Sequence, residues 1–251
     1  MAVNPNALKL SPEAVNLINA GGVELLRELG ADAVRDVVYG VMVGKNLRDS
    51  TEALTRRKLL VLNAAIVQCF VNGVHSNSNF LDEIAQTAAN MLAKKHLPKH
   101  QKWLLNWILG LTEKQVQNVL RDDQSALEEY TLTYARLMSS SVRESVEHYG
   151  EASGEINIGG VKAPLDWRFL SYLFTVIGSS TLTVRGSDKS TAGKLFEHLI
   201  LGSLLTVLGF RMVKKGEPED GKMVFWLSEQ GEKRESDATC LFQKGVGVRF
   251  D

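Results

Sequence analysis

The chain has 251 residues, 44% hydrophobic and 23% charged, an ordinary globular composition with room for one large domain or two modest ones. Its 29 basic residues balance 29 acidic ones, which argues against a dedicated non-specific DNA coat and still allows a nucleic-acid enzyme that confines its positive field to one cleft. No run of eighteen apolar residues predicts a membrane-spanning helix, and Met1–Pro12 lacks the basic-then-apolar order of a secretory signal, so the expectation is a cytoplasmic protein with no membrane partner.

The first 150 residues read as mostly helical. Ser11-Pro12-Glu13 is a helix start, a capping serine followed by proline where a missing N–H costs nothing. Apolar residues recur from Val15 to Leu29, broken by Gly21-Gly22. A second helix is expected over Asp32–Val43, and a long amphipathic one follows Ser50-Thr51 through Leu54, Leu59, Leu62, Ile66 and Phe70. Val74–Asn79 is loop-like. A helix over Phe80–Lys95 should stop before Pro98, and a short one over Lys102–Leu109 carries Trp103 and Trp107. Thr112 with Gln115 has the spacing of a capping box, and Gln124–Tyr149 reads as another long helix.

The pattern changes near residue 150. Gly150, Gly154, Gly159 and Gly160 punctuate a strand-like piece, Glu155–Val161. Trp167–Ile177 is apolar, Thr181–Arg185 alternates like a strand, and Gly186-Ser187-Asp188 reads as a turn. Thr191–Leu208 then reads as a helix closed by Gly209, followed by strands over Phe210–Val213, Met223–Leu227, Ser236–Phe242 and Val246–Asp251, with Lys244-Gly245 turning the last hairpin. The organisation expected is a helical region over 1–150, for DNA contact or dimerisation, and an α/β region over 151–251. The fold class is α+β or α/β: helices, then a mixed sheet.

Three acids stand out in the second region. At about 100° per residue Glu197 falls between Leu204 and Leu208, on the side taken as apolar. A carboxylate buried there needs a metal ion or a basic partner; a plainer alternative has it snorkelling from the rim of the stripe. Asp237 stands where an apolar strand begins. Acids at strand ends can converge on a hard divalent cation, and a solvated turn after Glu232-Lys233-Arg234-Glu235 is the other reading. Asp251 follows Val246–Phe250 and closes the sequence given.

A helix bearing one acid, then four strands with two more, resembles the PD-(D/E)XK superfamily, the fold of many type II restriction endonucleases. Gly193–Glu197 and Leu208-Gly209-Phe210 are similar to that superfamily's first core helix and following strand, and Glu235–Asp251 resembles a strand hairpin of a CfrBI-like group. The likeness covers about sixty residues, taken from the span Ser190–Asp251. It implies Mg2+-dependent, site-specific cleavage of double-stranded DNA within a restriction-modification system, by a homodimer. Glu197, Asp237 and Asp251 would be the catalytic, metal-binding acids. The superfamily pattern also needs a lysine two residues after its second acid, and the sequence to Asp251 does not reach it. The expectation is therefore of a core held only in its first half.

Basic clusters could meet DNA phosphate: Arg56, Arg57 and Lys58, and the run Lys94, Lys95 and Lys99 before Trp103 and Trp107. Solvated helix ends and core tryptophans account for the same residues. The five histidines make no zinc pattern, and Cys69 and Cys240, far apart in apolar contexts, read as buried free thiols. A different class of function stays open: a non-catalytic helical DNA-binding or protein-interaction module with an open sheet edge.

Overall fold

The structure, a computed structural model, describes residues 8–21, 24, 27, 30–45, 47–94, 96–116, 124–214, 222–227 and 238–250; inside these, the side chains of 47–51, 53–54, 124, 188–192 and 194–197 are not described. Helices α1 (Pro12–Asn19), α2 (Ala31–Met42), α3 (Leu47–Ser76), α4 (Phe80–Leu92), α5 (Lys99–Ile108), the single turn α6 (Glu113–Gln115) and α7 (Gln124–Tyr149) come first. The hairpin β1 (Gly154–Ile158) and β2 (Val161–Leu165) follows, then α8 (Trp167–Val207), then β3 (Arg211–Met212), β4 (Val224–Leu227), β5 (Ala238–Gln243) and β6 (Val246–Phe250). The chain divides into two compact units: Met1–Ala20 with Ala53–Ser187, and Gly21–Glu52 with Asp188–Asp251.

Local signals set many boundaries. The Ser11 hydroxyl accepts the Ala14 N–H at 3.4 Å with Pro12 in the first turn. The Thr112–Gln115 capping box is present in both directions. Gly159 and Gly160, both at positive φ, turn the β1–β2 hairpin, as a two-residue turn demands. Three boundaries differ from expectation. α3 runs on to Ser76, leaving only three residues of the loop-like stretch before α4. α4 stops at Leu92, and α5 starts at once after Pro98.

The largest difference lies at 181–188. The alternating segment Thr181–Arg185 and the turn Gly186–Asp188 are interior to α8. Helical spacing wins because it turns Phe169, Leu173, Val176, Ser180, Thr183 and Val184 to one buried side. The polar residues are satisfied within the helix: Thr181 and Thr183 donate to the carbonyls of Ile177 and Ser179 at 2.8 Å, so a β-branched stretch pays little for being helical.

The core of the first unit gathers Leu62, Ile66 and Phe70 of α3, Phe80 and Ile84 of α4, Trp107 of α5 and Phe169 of α8. Phe70 meets Phe80 and Phe169 edge-on, at 5.8 and 6.1 Å. Thr55–Ser76 has the length and apolarity to cross a membrane, and half of it is buried within the fold, so packing on this core accounts for its composition. The second unit holds the four-stranded sheet β3-β4-β5-β6, in which β3 runs parallel to β4 and the rest are antiparallel.

Candidate metal and DNA site

The site is built on the second unit's sheet and the distal half of α8. α8 ends in a Schellman motif: Phe210 N–H bonds the Leu205 carbonyl at 2.9 Å and Gly209 N–H the Thr206 carbonyl at 3.0 Å. Gly209 sits at φ 87°, where a side chain would be strained. The closure folds Phe210 back on Leu205, and both join Phe225, Ala238 and Cys240 in a small core, with Leu201 and Leu227 at its margin.

This corrects the helix face read from sequence. The sheet-facing residues are Leu201 and Leu205, while Leu204, Val207 and Leu208 are exposed. The stripe was misjudged because α8 has a second apolar face. Leu199 and Ser203 line a groove of about 680 Å³ with Val34, Val38, Tyr39 and Met42 of α2. Position 197 is helical; it lies one turn before Leu201 and about 40° around from it. Its side chain is outside the described part.

Asp237 and Asp251 also lie outside the described residues. Their sequence neighbours are described: Ala238 and Phe250 are register partners, and Ala238 pairs on its other side with Leu227. These three residues form the last row at one end of the sheet. In sequence, Asp237 directly precedes Ala238 and Asp251 directly follows Phe250. Gly202, on α8, approaches Leu227 at the same end. Carboxylates in general offer hard oxygen donors, the chemistry that suits Mg2+ or Ca2+. Among the described residues no cluster of His, Cys, Asp and Glu forms a metal-holding group.

Behind that row the sheet presents two faces. Ala238 and Cys240 are fully buried against α8, so Thr239 between them faces the other way. Trp226, Thr239 and Arg249 are register partners and make one row on this second face. Arg249 is exposed, and among the described residues it makes no hydrogen bond or ion pair. Sequence reading passed over Arg249, because a lone arginine carries no motif; only the register puts it in the row next to Leu227, Ala238 and Phe250.

The basic clusters belong to the first unit. Arg56 and Arg57 are exposed and Lys58 half-buried on α3; Lys94 is exposed after α4; Lys95 lies outside the described residues. Lys99 is exposed as a residue, and its ammonium donates to the Ile18 carbonyl at 3.2 Å and lies 4.6 Å from the Trp103 ring centre. Trp103 and Trp107 are buried, so they serve the core. The thiols do too: burial pushes Cys69 up to about 12 and raises Cys240, which leaves both protonated and poor nucleophiles.

Helices followed by small mixed sheets make the architecture that of a restriction-endonuclease-like core. The profile of the CfrBI restriction endonuclease family matches residues 31–251. The chain is 38% identical over 242 residues to the type II restriction enzyme CfrBI of Citrobacter freundii, covering 95% of this chain and 65% of that enzyme. The chain belongs to the CfrBI restriction endonuclease family. No solved structure matches it.

Proposed function

We propose that the protein is a type II restriction endonuclease that hydrolyses double-stranded DNA with Mg2+, within a restriction-modification system. Family membership supports the class. The chain spans 65% of the relative's length, so the activity of the whole protein belongs to this proposal. The observation that carries the metal-site reading is the register Ala238↔Phe250, which brings together the strand ends next to Asp237 and Asp251. Position 197 belongs to α8, the helix packed on that sheet, one turn before Leu201.

In this reading Glu197, Asp237 and Asp251 hold the ion, which when bound polarises the scissile phosphate and offsets charge on the leaving oxygen. The carboxylates would do their part by supplying hard oxygen donors from the helix and the strands. The region 1–150 contacts DNA or a second protomer, with Arg56, Arg57, Lys58, Lys94, Lys95 and Lys99 as candidate phosphate contacts. A homodimer would match the two-fold symmetry of a palindromic site, and the cytoplasm is where such a system acts.

Metal linkage tests the site. Millimolar Mg2+ or Ca2+ should raise the melting temperature, and Glu197→Ala or Asp237→Ala should abolish the rise. A rise that persists in both variants would remove these acids from the site.

A further inference from the structure

We propose that Arg249 grips the DNA phosphate next to the scissile one. This inference rests on the nuclease reading above and adds a substrate contact to it. The row Trp226–Thr239–Arg249 is the second from the sheet end that Asp237 and Asp251 adjoin in sequence. Arg249 is opposite Thr239, on the face of the sheet turned away from Ala238 and Cys240, and in sequence it stands two residues before Asp251.

The other described cations of this sheet are placed differently. Lys244 is in the β5–β6 turn at the far end, Arg211 and Lys222 adjoin the Val224 end, and Lys214 follows the opposite edge strand, β3. Arg249 alone among them stands on a strand that runs directly to a candidate acid. Its guanidinium is exposed and uncommitted among the described residues. A planar fork of donors with no protein partner suits a phosphate bound in two-pronged fashion. A cation in that row also offsets the repulsion between a polyanionic substrate and the carboxylates of the proposed metal site.

The experiment measures binding of a fluorescein-labelled, mixed-sequence duplex, with Ca2+ in place of Mg2+, over a range of NaCl. Arg249→Ala should lower the log–log salt slope by about 0.9, which amounts to about eightfold weaker binding at 0.1 M salt. Arg249→Lys should restore the slope. Lys244→Ala should bind like wild type, and the Ca2+-induced rise in melting temperature should be unchanged in Arg249→Ala.

Wild-type slope and affinity in Arg249→Ala, with Mg2+-dependent cleavage by the wild type intact, would overturn this inference alone. Absence of Mg2+-dependent cleavage by the wild type would take the nuclease reading down and this inference with it. Arg249→Gln keeps the stem of the side chain. A fall in melting temperature shared by Arg249→Ala and Arg249→Gln would show a structural side chain and also overturn the proposal.

Discussion

Replacing Thr183 by valine removes one oxygen from the middle of α8 and nearly nothing else. The indole N–H of Trp107 donates to Thr183 Oγ1 at 2.9 Å, and Trp107 is fully buried. Valine has the same branched shape, so packing is kept, and the loss is a buried donor without an acceptor. That costs about 1–3 kcal/mol. For a chain of this size each kcal/mol lowers the melting temperature by roughly 2–4 °C, so a fall of roughly 2–12 °C is expected by circular dichroism. Trp107→Phe removes the donor instead. In the double variant the two losses should fall short of their sum, with a coupling of about 0.5–3 kcal/mol. A neutral Thr183→Val, with additive losses, would mean that residues 181–185 do not turn this side to Trp107, and the strand reading of that segment would return.

Two further outcomes follow from packing and burial. Gly73→Ala sets a Cβ against the Phe80 ring, and should cost about 1–3 kcal/mol by urea titration; an unchanged midpoint would contradict the α3–α4 packing. Cys69 should react with thiol reagents no faster than the protein unfolds, since burial raises its pKa from 9.0 to about 12. Between those values the native state holds a proton that the unfolded chain gives up. Stability from this group is therefore fully present below pH 9 and falls as pH rises above it. The half-buried phenol of Tyr130 and the buried phenols of Tyr134 and Tyr172, also raised chiefly by burial, push in the same direction. Urea stability measured from pH 7 to 10.5 should decline, less steeply in Cys69→Ala.

What could be read from sequence was local. Ser11 before Pro12, the Thr112–Gln115 box, the Gly159-Gly160 turn and Gly209 after α8 each act within a few residues, and each shows in the fold. The segment Thr181–Arg185 could not be read so. Its alternation is a strand signal, and only the distant core that takes Thr183 and Val184 makes it helical. The stripe on α8 failed for a related reason. A helix covered on two sides shows apolar residues all round, and periodicity does not say which side meets the sheet. The three candidate acids were singled out as residue types, Glu197 on a helix and Asp237 and Asp251 next to strands in sequence. That Ala238 and Phe250 are partners is a matter of strand register, which depends on the turn and a bulge between Leu241 and Gln243.

The proposed function has Glu197, Asp237 and Asp251 holding the metal ion for the cutting of DNA. The most direct measurement incubates a panel of plasmid and phage DNAs with the protein and 10 mM MgCl2 (an amount on the order used to saturate hard-cation sites) and resolves the products on a gel. The account predicts discrete fragments from wild type, none with EDTA, and none from Asp237→Asn despite an unchanged fold. Fragments of the same sizes from Asp237→Asn, or from wild type in EDTA, would contradict it.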